Sequence, residues 1–137
     1  MNLWKDDAGF SLIELIVVMT IMAVLVGVLA PQFLKYVNNA RVATDIDNAQ
    51  ELARLVDAAI ADTNGNSVAP LIQGAGGTAV TDVPGLDQLP VCKRDASFVW
   101  KIDSSQGTGV TSITLNGYEI YPYVYAANSY YAQYYKK

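Results

Sequence analysis

The chain has 137 residues, of which 52% are hydrophobic and 16% charged, and its formal net charge is −4. This length favours one domain, and the acidic balance argues against DNA or RNA as a partner, because neutralising phosphates needs a basic surface. The chain has no histidine, which removes the commonest general base, zinc ligand and triad member. Its single cysteine, Cys92, excludes an intrachain disulfide, and we expect it to pack as a small buried residue.

The apolar residues are concentrated near the N-terminus. Between Phe10 and Pro31 the only ionisable residue is Glu14, and residues 10–30 read FSLIELIVVMTIMAVLVGVLA. A helix over this stretch is about 31 Å long, close to the ~30 Å hydrocarbon core of a membrane. The segment therefore predicts a membrane-spanning helix, with a cleaved secretory signal as the alternative. That alternative fits less well, because the apolar run is longer than in such signals and its N-terminal flank is not basic.

Two features interrupt this apolar segment. Glu14 is ionisable, and ionisable residues inside membrane helices usually mark function. Either its side chain extends to the membrane interface, or it is held for a cation from another chain. The second feature is Gly27 with Pro31, because Pro31 has no N–H and leaves the carbonyl of Gly27 without its helical partner. Together they predict a helix break, either a simple kink or a segment that melts on assembly.

The chain after Pro31 continues with helical periodicity. Its apolar residues recur at spacings of three and four, as on one face of a helix: Val42, Ile46, Ala49, Ala53, Val56 and Ile60. The charged residues of the segment, Asp45 among them, are expected on the other faces. Glu51 and Arg54 are three residues apart, a spacing that permits an ion pair.

The end of this helix is marked by Asn64-Gly65, because Asn and Gly readily adopt the left-handed conformation that ends a helix. We therefore predict one helix from about residue 11 to 62, apolar in residues 10–31 and amphipathic in residues 32–62. A calcium loop starting at Asp62 is disfavoured, because the glycine and the final glutamate that it requires are missing. No metal site, cofactor site or catalytic residue is predicted.

Residues 63–137 are predicted to form a C-terminal globular β domain. The first part, to about residue 95, is rich in Gly, Pro, Thr and Asp and is expected to hold at most short elements. Three strand signals follow, at residues 97–102, 110–115 and 118–125. Asn116-Gly117 predicts a two-residue turn, and Pro122 places the end of the last strand at an edge or bulge. The expected fold class is α+β, with the long helix packed against a small antiparallel sheet.

Tyrosine is concentrated near the C-terminus, where the tail reads NSYYAQYYKK. The tyrosines of this tail recur at a spacing of four residues, as on one face of a helix. Packing and subunit contact is the main interpretation, because tyrosine is common at interfaces. Surface adhesion by stacking on glycans, and electron transport along stacked rings, are the alternatives.

The stretch Gly9-Phe10-Ser11-Leu12-Ile13-Glu14, followed by an apolar helix, resembles the N-terminus of type IV prepilins and pseudopilins. The family pattern is a short leader ending in Gly, then Phe, a small hydroxyl residue, two aliphatic residues and Glu. Many members also carry Pro at the position of Pro31, and the resemblance covers roughly residues 5–60. It implies that residues 1–9 are a leader, that prepilin peptidase cleaves after Gly9, and that the new amine of Phe10 is N-methylated.

The resemblance also implies a partner for Glu14, which is the N-terminal amine of a neighbouring subunit. Phe10 and Glu14 would then act as an assembly pair. It further implies a pilin-like fold, a single-pass membrane precursor with a cytoplasmic N-terminus, and an extracellular homopolymer assembled by an inner-membrane platform. Many pilins close a C-terminal loop with a disulfide, and this chain cannot do so.

These features predict a structural subunit rather than an enzyme. The first expectation is a pilin that polymerises into a type IV pilus-like filament for adhesion, motility or DNA uptake. The alternatives are a pseudopilin of a type II secretion or competence machine, and a monomeric membrane-anchored binding domain. No nucleic-acid partner is predicted for the isolated subunit.

Overall fold

The structure, a computed structural model, describes residues 10–62, 86–105 and 109–135, together with the backbone of residues 71–75. The chain forms a long helix, an antiparallel sheet and a short C-terminal helix, which confirms the predicted α+β class. The elements are α1 (Leu12–Asp62), β1 (Leu71–Ala75), β2 (Val99–Ser105), β3 (Gly109–Leu115), β4 (Tyr118–Tyr121) and α2 (Tyr130–Tyr134). The expected leader and the helix stop at Asn64-Gly65 lie outside the described residues.

The chain divides into two compact units, the first ending at Tyr36 and the second beginning at Val37. The described part of the first unit is the apolar half of α1. This helix continues through Gly27 and Pro31, so the missing N–H of Pro31 does not end it in the isolated subunit. Melting of this segment on assembly therefore stays a prediction.

The amphipathic half of α1 supplies one side of the core of the second unit. The predicted apolar stripe is buried in full, which confirms its helical periodicity: Val42, Ile46, Ala49, Ala53, Val56 and Ile60. The sheet supplies the other side of the same cluster through Trp100, Ile102, Ile113, Leu115 and Ile120. The helix is therefore attached to the sheet by burial of apolar area, which stabilises by roughly 25 cal/mol per Å².

The sheet has four antiparallel strands in the order β1-β2-β3-β4. The three predicted strands correspond to β2, β3 and β4, whereas β1 lies in the stretch that was expected to hold at most short elements. The last strand ends at Tyr121 rather than at Tyr125, because Pro122 has no N–H to continue the ladder. Since β4 lies at the end of the sheet order, next to β3, Pro122 follows an edge strand, as predicted.

The hairpin between β3 and β4 turns at Asn116-Gly117. Both residues have positive φ, 52° and 81°, as a type I′ turn requires. The turn pairs Leu115 with Tyr118 directly across the hairpin. The predicted two-residue turn is therefore confirmed.

A contact between α1 and the start of β3 depends on a glycine. Gly109 has a φ of +85°, and a Cβ at this position would meet the carboxylate of Asp57. Asp57 Oδ1 accepts a hydrogen bond of 2.6 Å from the N–H of Val110.

We expect Gly109→Ala to destabilise the second unit by about 2–3 kcal/mol, since positive φ costs roughly 1–2 kcal/mol and overpacking adds to it. Thermal unfolding of the detergent-solubilised chain, followed by the fluorescence of the buried Trp100, measures the loss.

Gly117→Ala is the matched control for this substitution. Gly117 also has a positive φ, of +81°, but no described atom lies within 4 Å of the position that its Cβ would take. Its replacement should cost about 1–2 kcal/mol, from backbone strain alone. Equal losses for the two variants would show that the contact between Gly109 and Asp57 does not constrain the fold.

Candidate functional site

The first helical turn is closed by Glu14. Its Oε2 accepts a hydrogen bond of 2.8 Å from the backbone N–H of Ser11. The carbonyl of Ser11 in turn accepts from the N–H groups of Glu14 and Leu15, at 3.0 and 3.2 Å. Ser-x-x-Glu is the pattern of a capping box. The prediction of Glu14 as a carboxylate inside a membrane helix did not include this local role. In the isolated subunit, Glu14 therefore stabilises the start of α1 through its own chain.

The helix that follows Glu14 presents its apolar side chains to the outside. From Phe10 to Tyr36 the large hydrophobic residues are between 43% and 81% exposed. Phe10, Ile13, Val17 and Val18 line a shallow groove beside Glu14. The helix is long and apolar enough to cross a membrane, and none of its most apolar window is buried within the chain. This surface requires either lipid or another protein to cover it.

The predicted site residues divide into three cases. Phe10 and Glu14 lie together at the start of α1. Gly9, the expected residue before the cleaved bond, lies outside the described residues. Gly27 and Pro31 lie inside the same helix, roughly three and a half to five turns beyond Glu14, and contact neither Phe10 nor Glu14 at that distance along the helix.

The second unit holds a buried polar cluster centred on Asp45, which the sequence pattern placed on an outer face of α1. That placement is wrong, because Asp45 is 0% exposed. Its Oδ1 accepts the N–H of Lys93 at 2.7 Å. Its Oδ2 accepts the N–H of Arg94 at 3.3 Å, the hydroxyl of Tyr130 at 2.9 Å and the thiol of Cys92 at 3.1 Å. Four hydrogen bonds thus compensate the loss of water around the carboxylate and join α1 to the loop before β2 and to α2.

Helix α2 is attached to α1 by further contacts at Tyr134. The carbonyl of Tyr134 accepts a hydrogen bond of 2.9 Å from Nδ2 of Asn38, and its ring lies 4.4 Å from the guanidinium of Arg94. Ser129 caps the helix by accepting from the N–H of Ala132 at 3.2 Å. The tail is therefore a structural part of the second unit.

The tyrosines of the tail meet at the predicted spacing of four residues. The rings of Tyr130 and Tyr134 are 4.8 Å apart, and those of Tyr131 and Tyr135 are 4.4 Å apart and stacked. Tyr125 adds an edge contact to Tyr131 at 4.8 Å. Packing within the subunit is thus the role that these contacts support, and the adhesive and electron-transport alternatives stay untested.

Cys92 is buried, as predicted, but it belongs to a polar cluster rather than to a purely apolar pocket. Burial raises the pKa of its thiol above the ordinary 9.0, and the carboxylate of Asp45 adds to the effect. The pKa of Tyr130 is also raised, first by burial and then by its contact with Cys92. Both groups are therefore neutral around pH 7 in the folded chain.

These raised pKa values predict a loss of stability in alkali. The unfolded thiol ionises near 9.0 and the unfolded phenol near 10.0, so the folded state holds protons that the unfolded state releases. The free energy of unfolding is therefore unaffected by these two groups well below pH 9, and it decreases as the pH rises further. Unfolding midpoints measured from pH 7 to pH 11 should decline above pH 9, and less steeply in Cys92→Ser. Identical pH profiles for the two chains would contradict the role of the thiol.

The described residues contain no group of three or more Asp, Glu, Cys or His side chains able to hold a metal ion. The expected ion pair between Glu51 and Arg54 is present at 3.5 Å, with both side chains mostly exposed. An exposed pair of this kind contributes about 0–1 kcal/mol.

Comparison with known proteins adds one finding on the N-terminal region. Residues 4–30 match the family model described as the prokaryotic N-terminal methylation motif. No curated protein and no solved structure gives a significant match. The match covers residues 4–9 of the expected leader, the Gly9–Phe10 bond, Glu14 and most of the exposed apolar helix. The chain therefore carries, at residues 4–30, the class III methylation signal that is found in type IV pilins and pseudopilins.

Proposed function

We propose that the mature chain is a structural subunit that polymerises into a type IV pilus-like surface filament. The observation that carries this proposal is the exposed apolar half of α1, most of which lies within the methylation signal. A surface of this kind is stable in lipid before assembly. Once it leaves the membrane, identical helices are the natural cover, because each copy presents the same unpartnered surface.

Cleavage after Gly9 would make assembly possible, because it changes the charge on the nitrogen of Phe10. In the precursor, the nitrogen of Phe10 is an amide that carries no charge. Cleavage converts it to an amine, which is a cation, close to the carboxylate of Glu14. In the core of a filament each charge alone would be buried without compensation, and pairing them between neighbouring subunits removes both penalties. The hydrogen bond from Ser11 uses Oε2 of Glu14, and the second oxygen is the atom that we assign to the incoming amine.

The partners that follow from this proposal are a prepilin peptidase, which cleaves at Gly9 and methylates Phe10, an inner-membrane assembly platform, and further copies of the chain. The precursor would span the membrane once with its N-terminus in the cytoplasm. The assembled form would be extracellular. Adhesion, motility and DNA uptake are the roles that such a filament would serve.

The test is electron microscopy of sheared surface material, with an antibody raised against residues 86–135. We expect long fibres labelled along their length. Labelled material that stays in the envelope without long fibres would instead favour a pseudopilin. Recovery of the chain only as monomers in the membrane would favour an anchored binding domain and contradict polymerisation.

A further inference from the structure

The second unit contains a recess lined by two arginines, neither of which forms an ion pair with a described residue. Arg41 and Arg94 line a cavity of about 300 Å³, together with Asn38, Phe98 and Tyr134. Asp95 also lines it and is attracted to Arg94, but it forms no ion pair with it, and its Oδ1 accepts two hydrogen bonds from Ser97, at 2.7 and 2.9 Å. Among the residues that the structure describes, the ion pairs are Glu51–Arg54 and Lys101–Asp103, so neither arginine of the recess belongs to one.

One of the two arginines is held in a fixed position. The guanidinium of Arg94 donates from Nη1 to Oδ1 of Asn38 and lies over the ring of Tyr134, 4.4 Å from its centroid. Asn38 is itself fixed, because its Nδ2 donates to the carbonyl of Tyr134 at 2.9 Å. A cation oriented in advance beside the exposed Arg41 favours binding of an anion, because little side-chain freedom is lost on binding.

Asp47 on α1 is an exposed acid without an ion pair in the described part of the chain. It follows Arg41 by six residues, which places the two side chains about 120° apart around the helix and about 9 Å apart along it. They cannot meet within one chain. Because they lie on different sides of the helix, they can face two different neighbours, as a head-to-tail contact between identical subunits requires.

We propose that the recess formed by Arg41 and Arg94 binds Asp47 of a second copy of this chain. This inference rests on the proposed polymerisation and specifies a contact between the second units of adjacent subunits. The copy that contributes Arg41 is displaced by six residues, about 9 Å, along α1 relative to the copy that contributes Asp47. Charge complementarity of this kind sets the register and the specificity of a contact more than its strength.

Charge exchange in the full-length chain, expressed in its host, tests the proposal. Arg41→Glu and Asp47→Arg should each lower the yield of sheared filaments about tenfold, because each places like charges together in every contact. The double variant restores opposite charges between neighbours and should recover most of the yield. Arg54→Glu is the matched control, since it reverses an exposed charge on the same helix, and it should assemble normally. A double variant no better than the single variants, or a single variant with normal yield, would overturn the contact.

Disulfide trapping gives a second measurement that does not depend on yield. Arg41→Cys and Asp47→Cys are combined in a Cys92→Ser background, where they should form a ladder of covalent oligomers in oxidised filaments. Either cysteine alone should give no ladder. Filaments of normal length without a ladder would refute this contact while leaving the proposed function intact. If the unmodified chain formed no filaments at all, the proposed function itself would fail.

Discussion

Glu14→Ala is expected to abolish filament assembly while the chain still inserts into the membrane and is processed. The substitution leaves the amine of Phe10 without an anion in the core of the filament. Removing one partner of a buried ion pair typically costs about 3–5 kcal/mol, and this cost recurs at every subunit. Membrane insertion does not suffer, because the variant removes the one charge of the apolar helix. Filament yield by shearing and membrane-bound subunit by immunoblotting give the two readouts.

Glu14→Gln separates the charge of Glu14 from its role as a helix cap. A glutamine can still accept the hydrogen bond that Glu14 receives from Ser11, since capping boxes use either residue. Loss of a cap alone costs only about 0.5–2 kcal/mol. We therefore expect Glu14→Gln to assemble as poorly as Glu14→Ala. Near-normal filaments from Glu14→Gln would mean that the residue acts only as a cap and that no charge pair forms.

Asp45→Ala is expected to cause the largest loss of stability in the second unit, about 3–5 kcal/mol, because several hydrogen-bond donors lose their acceptor together. It leaves the buried hydroxyl of Tyr130 and the N–H groups of Lys93 and Arg94 without their acceptor. Each buried polar group left unpaired costs about 1–3 kcal/mol. Since whole domains are stable by only about 5–15 kcal/mol, the solubilised variant should unfold well below the wild-type temperature. The fluorescence of buried Trp100 reports the transition.

Asp47→Ala is the control for this effect, because it removes an exposed carboxylate from the same helix only two residues away. Surface substitutions of this kind usually change stability by at most about 0.5 kcal/mol. The stability of Asp45→Asn should lie between those of Asp45→Ala and Asp47→Ala. Its remaining oxygen can still accept hydrogen bonds, but its NH₂ group faces other donors. If Asp45→Ala were no less stable than Asp47→Ala, the buried cluster would not hold α1 to the loop and the tail.

The residues that could be predicted from the sequence are those whose roles depend on local spacing. The apolar stripe from Val42 to Ile60 repeats at the helical period, and Asn116-Gly117 sets the hairpin turn by its own backbone preference. Asp45 shares the spacing of the stripe, three residues after Val42 and four before Ala49, which is the signal of its burial. Spacing alone does not predict that burial, because a carboxylate is ordinarily exposed unless it is paired.

The remaining features depend on partners distant in the chain. Asp45 is satisfied by groups 47 to 85 residues away, and the contact of Asp57 with Val110 spans 53 residues. Strand β1 contains Gly74 and lies in a Gly-rich stretch, so its pairing with β2 is the only sign of a strand. The Ser11–Glu14 cap, by contrast, depends on local spacing, because the Ser-x-x-Glu pattern is present in the sequence itself.

The central claim is that cleavage after Gly9 exposes the amine that Glu14 binds in a neighbouring subunit. Intact-mass measurement of the subunit purified from filaments tests it most directly. We expect a chain that lacks residues 1–9 and carries one added methyl group on Phe10. A filament subunit that still contains Met1 would contradict the claim, because its Phe10 nitrogen would remain an uncharged amide.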